Sequence, residues 1–274
     1  MSVDGATVGF TTGGVDVGSA GVGPERPAAL LVHGAGMNRT VWQQQTRYLN
    51  HHGATALAVD LPGHGNSAGA PLATVAEMAA WLVRLADEVV VRLGGAPAGR
   101  RVALVGHSMG SLVCLEAAAT APDRFSRLVL AGTAMSMPVH PDLLDAAERN
   151  EPLAAELMTA WGHGPAAHVA ASPTPGMWML GGGLALLAAA ADGVIFADLS
   201  ACDAYEVGDA AGRVECPVTV VVGGADKMTP PRAAAPLIAG FDSADVVHLA
   251  DVGHMMMSED PAAVRRALRA ALCG

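Results

Sequence analysis

The sequence predicts an α/β fold, a mostly parallel eight-stranded sheet with helices on both faces and an inserted helical lid. Three observations predict it. Several short stretches are almost wholly apolar without alternation, the pattern of strands covered on both faces. Helical stretches fall between them, so strand, crossover helix and parallel strand repeat along the chain. One interval, 134–212, breaks that alternation and is too long for a loop inside a compact domain.

Taken in order, residues 6–10 and 15–19 flank Gly13-Gly14 and read as a β-hairpin. The nearly all-apolar strands follow at Ala28–Val32, Thr55–Val59, 102–105, 128–130 and 218–222, with a less apolar one at 246–249. Helices are expected over 38–52, 74–93, 108–121, Pro231–Ala239 and 261–272. Within 134–212 the helix-like runs 142–161 and 184–196 lie among prolines at 138, 141, 152, 165, 173 and 175. The chain therefore divides into a core, 1–133 with 213–274, and a helical cap over 134–212 that follows the sixth strand.

Composition narrows the function classes. Hydrophobic residues make up 51% of the 274 positions and charged ones 15%, which excludes a disordered chain. Sixteen Lys and Arg against 26 Asp and Glu give a net charge of −10 without basic blocks, a surface that repels nucleic acid and anionic lipid. A chain of this length buries about three quarters of its unfolded surface and needs no disulfide or metal. Cys114, Cys202, Cys216 and Cys273 lie far apart and read as reduced, mostly buried thiols rather than zinc ligands. The first twenty residues lack a basic segment followed by an apolar one, so no signal peptide is expected and the default location is the cytoplasm. The uncharged stretch 176–191 is shorter than the roughly 20 residues of a membrane helix and holds three consecutive glycines. It is expected as a buried or lid helix with an irregular start.

Two Gly-x-Ser-x-Gly patterns occur, at 65–69 and 106–110, and context separates them. A nucleophilic serine of this type sits on a sharp turn between a strand and a helix. Ser108 follows the strand at 102–105 and opens a helix, whereas Ser67 lies in a loop between Pro62 and Pro71. A hydroxyl is a weak nucleophile near neutral pH and needs a base that is itself held by a carboxylate. His254 follows a strand end in Asp251-Val252-Gly253-His254, where α/β sites gather, and Asp226 follows another in Gly223-Gly224-Ala225-Asp226. His248 falls inside its strand, Asp251 lies too close to His254 in sequence to partner it, and the other eight histidines read as loop or surface residues. Two backbone N–H donors must hold the developing oxyanion. The candidates are Met109, at a helix N-terminus, and Ala35, in the glycine loop His33-Gly34-Ala35-Gly36.

These segments, with Asp60–Ser67 (Asp60-Leu61-Pro62-Gly63-His64-Gly65-Asn66-Ser67), resemble the successive signatures of the α/β-hydrolase superfamily, nearest to small capped esterases and lactonases. The resemblance covers nearly the whole chain outside the cap. It implies the chain order serine, acid, histidine and makes Ser67 structural. A serine in place of an aspartate disfavours the haloalkane dehalogenase and epoxide hydrolase branches. The expected activity is hydrolysis of a neutral, hydrophobic ester or lactone through an acyl-enzyme, without cofactor or metal. Acyl transfer or C–C bond hydrolysis by the same triad is an alternative, as is a catalytically idle scaffold that binds a small ligand.

Substrate clues lie in the cap. Arg149 is its only Lys or Arg, which argues for an uncharged substrate unless cations arrive from the core. His33, Trp161, Met177, Trp178 and Met255 are the candidate pocket residues, methionine being suited to irregular apolar shapes. A monomer or homodimer is expected.

Overall fold

The computed structural model describes residues 1–15, 26–95 and 100–274. Strands β1 (Ser2–Val3) and β2 (Ala6–Thr7) pair antiparallel as a separate ribbon, and β3 (Phe10–Thr11) joins the main sheet. Among the described residues that sheet has seven strands, not the eight expected, because the first chain segment folds back on residues 2–3. Gly13 and Gly14 both have positive φ, as a turn there requires, but residues 16–19 of the expected hairpin lie outside the described residues.

The chain then runs through β4 (Ala28–Val32), α1 (Gln43–His51), β5 (Thr55–Val59), α2 (Val75–Arg92), β6 (Val102–His107), α3 (Met109–Thr120) and β7 (Phe125–Ala131). Strand order across the sheet is β3-β5-β4-β6-β7-β8-β9, with β8 (Val218–Gly223) and β9 (Ala244–Leu249). Only β3 runs antiparallel. Every residue of β4, β5 and β6 is buried, which is why these strands read as unbroken apolar runs. Helix α2 starts where Thr74 and Glu77 form a reciprocal capping box and buries a stripe from Val75 to Val90.

Between β7 and β8 the chain forms α4 (Pro141–Glu148), α5 (Pro152–Gly162), α6 (Pro165–His168), α7 (Met179–Ala188) and α8 (Val194–Asp203). The expected run 142–161 is two helices, divided at Asn150 (φ 53°) with Pro152 opening the second. The run 184–196 is divided likewise, at Gly193, which adopts the left-handed conformation before α8. Of the two readings of the uncharged stretch, a buried helix or a lid helix, α7 does not fit the buried one: only Met179 and Leu187 are buried in it, and Trp178 before it is 66% exposed. No helix among the described residues is long and apolar enough to cross a membrane. The chain closes with α9 (Pro231–Ala239), β9, the short α10 (Met256–Glu259) and α11 (Pro261–Cys273), and α11 packs on α1.

Candidate active site

Ser108 ends β6 and caps α3 with φ 53° and ψ −122°. A non-glycine residue there costs on the order of 1–3 kcal/mol and persists only where its surroundings enforce it. Here the Ser108 amide donates to Ala131 O at 3.0 Å, and its carbonyl accepts from the Ser111 amide and hydroxyl at 2.8 and 2.6 Å. The flanking glycines are sterically required. A Cβ on Gly106 would meet Gly110 O at 2.2 Å, and one on Gly110 would meet His33 O at 2.5 Å. The second Gly-x-Ser-x-Gly serine is engaged in the loop itself: Ser67 Oγ donates to Asp60 O at 2.7 Å and accepts from the Gly9 amide at 2.9 Å.

The loops after β8 and β9 are tied together. Gly224 N–H donates to Leu249 O at 2.8 Å and Ala225 N–H to Val252 O at 2.9 Å, an approach with no room for a Cβ at Gly224. That juxtaposition brings Asp226 Oδ2 to 2.8 Å from His254 Nδ1. Oδ2 also accepts the Thr229 hydroxyl at 2.7 Å, and Oδ1 accepts the Met228 and Thr229 amides, each at 2.8 Å. Burial opposes the charged carboxylate. The His254 imidazole and the Thr229 hydrogen bonds outweigh burial and hold Asp226 well below the usual carboxylate range. Gly132, just past β7, leaves space for the imidazole: a Cβ there would lie 3.0 Å from His254 Cε1.

His254 Nε2 is buried and has no hydrogen-bond partner among the described residues, Ser108 included. Ser108 and His254 nevertheless line one cavity of about 400 Å³, together with Ala35, Met137, Leu143, Met158, Trp161 and Met255. The amides of Ala35 and Met109 have no acceptor among the described residues. Of the candidate pocket residues, Trp161 and Met255 line the cavity and three do not. His33 is fully buried beneath the loop, Met177 borders a separate cavity of about 200 Å³, and Trp178 is exposed. Trp178 stays outside because its ring packs over Gly181 instead.

Four histidines read as loop or surface residues are in fact buried: His33, His64, His107 and His163. His33 Nε2 accepts the Leu61 amide at 3.1 Å, which leaves Nδ1 to donate to Gly34 O at 2.9 Å. Burial pushes its pKa down to about 3. His107, also pushed to about 3 by burial and then by His254, holds the His254 carbonyl at 2.9 Å through Nε2. His64 is opposite in sign. Its two nitrogens face Asp198 Oδ2 at 2.8 Å and Pro62 O at 3.0 Å, both acceptors. Burial disfavours its charge, but Asp198 and then Pro62 O overcome that and raise its pKa. His248 lies inside β9, as expected, and is exposed on that edge strand.

Sequence reasoning missed Thr229, Asp198 and Lys227. Thr229 stands three residues after Asp226, the spacing at which a carboxylate caps its own turn. Asp198 sits in an apolar helix, where a lone carboxylate demands a partner. Lys227 borders the cavity, so the cation at its lining comes from the loop after β8 and not from Arg149 in 134–212. Among the described residues no group of three or more His, Cys, Asp or Glu is arranged to hold a metal ion.

A family model described as the alpha/beta hydrolase family matches residues 29–267. Among curated proteins, the chain is 35% identical over 100 residues to a pimeloyl-[acyl-carrier protein] methyl ester esterase of Aliivibrio fischeri, covering 36% of this chain and 34% of that protein. It is 33% identical over 102 residues to an (E)-2-((N-methylformamido)methylene)succinate hydrolase of Acinetobacter baylyi, covering 37% and 35%. These matches span about a third of each relative's length. Among solved structures, the enol-lactonase of Burkholderia xenovorans LB400 superposes with a TM-score of 0.83 at 22% identity, over 99% of this chain and 98% of that one. A hydrolase of Pseudomonas aeruginosa PA01 gives 0.80 at 25%, over 100% and 97%. At 22% identity the enol-lactonase likeness shows the fold alone.

Proposed function

The chain belongs to the alpha/beta hydrolase family, and we propose that it is a serine hydrolase of a small carboxylic ester or lactone, with Ser108, His254 and Asp226 as its triad. One observation carries the reading: an imidazole held at Nδ1 by a buried carboxylate, its Nε2 buried and unpartnered, borders the same cavity as a serine on a strained turn.

In this mechanism Ser108 Oγ attacks the carbonyl carbon while His254 Nε2 takes its proton. Asp226 fixes the tautomer with the proton on Nδ1 and stabilises the imidazolium that forms. The tetrahedral oxyanion is held by the Ala35 and Met109 amides, each such donor being worth about 10²–10³ in rate. Collapse breaks the ester C–O bond, and His254 returns the proton to the leaving oxygen. A water, deprotonated by the same nitrogen, then releases the acid from the acyl-enzyme. Residues 134–212 act as a cap: Trp161, Met158 and Leu143 supply an apolar wall that suits the carbon skeleton of such a substrate. The relative named as a methyl ester esterase, matched over about a third of its length, supports ester chemistry.

The test is labelling by a fluorophosphonate probe together with turnover of a panel of short esters and lactones, wild type against Ser108→Ala. Labelling at Ser108, with turnover lost in the variant, is the expected result. A Ser108→Ala protein that still hydrolyses the panel at the wild-type rate overturns the assignment.

A further inference from the structure

We propose that the substrate is an ester or lactone that also carries one carboxylate, and that Lys227 is the residue that binds it. The proposal deepens the ester hydrolase reading and rests on it.

Lys227 is the only lysine in the chain. It stands next to Asp226, yet the two do not pair: the Asp226 carboxylate is occupied by His254, Thr229 and the amides of Met228 and Thr229. Those two amide bonds close a tight turn whose intervening residue, Lys227, is exposed while Asp226 and Thr229 are buried. The turn that orients the base therefore also puts Lys227 on the lining of the cavity that Ser108 and His254 border. Lys227 forms no ion pair among the described residues.

The surrounding charge makes this placement selective. Asp and Glu outnumber Lys and Arg by 26 to 16, but no carboxylate lines this cavity, and Lys227 is the one lining residue that is charged irrespective of a histidine's state. The rest of the wall is largely apolar, with methionines at 37, 137, 158, 228 and 255. An unpaired ammonium at the exposed edge of an apolar cavity offers a substrate anion a single attractive partner that orients it, and the pair is open to screening by salt. One lysine balances one charge. A phosphoryl dianion would leave charge uncompensated and prefers a bidentate guanidinium, so a carboxylate is the better match. Arg149, the only cation of 134–212, is bound to Glu151 at 2.7 Å and does not line the cavity.

The experiment compares methyl half-esters of straight-chain dicarboxylic acids, graded from three to seven carbons, with the same esters in which a carboxamide replaces the free carboxylate. The carboxamide keeps size and shape and removes the charge. In the wild type, kcat/KM for the best half-ester is expected to exceed that of its carboxamide partner by about three- to fivefold. That ratio is expected to fall as salt is raised, to collapse toward one in Lys227→Met, and to be largely kept in Lys227→Arg. Using the ratio cancels any general damage to the neighbouring Asp226. Carboxamide esters hydrolysed as fast as half-esters at every length, or a ratio unmoved in Lys227→Met, overturn the lysine site while leaving the hydrolase reading intact. Absence of any turnover, with no fluorophosphonate labelling of Ser108, overturns both.

Discussion

The Asp198 carboxylate, on α8, accepts the backbone amide of Gly36 at 2.7 Å. Gly36 is the neighbour of Ala35, whose amide is one proposed oxyanion donor, so a helix outside the sheet fixes the loop that would hold the oxyanion. The contact is close-packed: Gly36 has φ +67°, and a Cβ there would strike Ile195 Cγ1 at 2.8 Å. Asp198→Ala removes an acceptor buried with 0% exposure and leaves the Gly36 amide unpaired. It is expected to lower kcat roughly 10- to 100-fold, as expected when an oxyanion donor is misplaced, with a smaller change in KM. Asp198→Asn keeps an acceptor and is expected to recover part of that loss. Steady-state kinetics of the two variants beside thermal denaturation separate positioning from simple loss of fold, since a purely structural role would lower stability without the rescue in kcat.

The same carboxylate holds His64, which gives α8 a dependence on pH. His64 has a folded-state pKa raised above its ordinary 6.5, so its stabilising contribution is complete below about pH 6.5 and is lost as pH rises through the raised value. Wild-type melting temperature is expected to decline on the alkaline side more steeply than that of His64→Gln, whose partner contact does not titrate. Parallel slopes for the two proteins between pH 6 and 10 would show that the pair is not coupled to stability. Asp226 behaves in the reverse sense: its depressed pKa makes its contribution complete above the ordinary carboxylate range and lost only in strong acid.

Gly110→Ala places a methyl group about where His33 O and Val32 O already are, at 2.5 and 2.6 Å. Backbone on both sides cannot yield, because Val32 is paired within the sheet and α3 is buried around nearly its whole circumference. Destabilisation of at least about 3 kcal/mol is expected, at the upper end for a single substitution. Urea denaturation of the purified variant, or its failure to accumulate folded, checks this.

Met255 separates two hollows, since it borders both the cavity of about 400 Å³ and the neighbouring one of about 200 Å³. Met255→Ala is expected to join them and to move the optimum toward longer acyl chains, with kcat/KM for the longest esters of a graded series rising relative to the shortest. The cost to stability is about 2–5 kcal/mol, typical of emptying a buried site. An unchanged length profile in a folded variant would mean that the two spaces stay separate.

Much of this site could be read from the chain because its signals are local. Ser108 declares itself by the strand before it, the helix after it and the glycines two residues to either side, each demanded by an approach under 3 Å. His254 and Asp226 follow strand ends, and their meeting comes from parallel pairing of β8 with β9, which the apolar pattern of those stretches foretold only for β8. What could not be read is long-range. Nothing near Asp198 in sequence announces Gly36 or His64, which lie 162 and 134 residues away. The direction of a side chain was equally hidden: Trp161 and Trp178 carry similar local surroundings, but one lines the cavity and the other packs outward over Gly181. For the uncharged stretch that became α7, lack of charge left a buried helix and a lid helix both open, and only the structure shows that much of it remains open to solvent.

The four tryptophans occupy separate environments, with Trp42 and Trp81 in the interior, Trp178 in solvent, and Trp161 set edge-on to the His140 ring at 5.7 Å on the cavity wall. The chain thus contains an intrinsic optical reporter. Of the four, Trp161 is the one that lines the cavity beside Ser108, and Trp178 is the one open to water-borne quenchers.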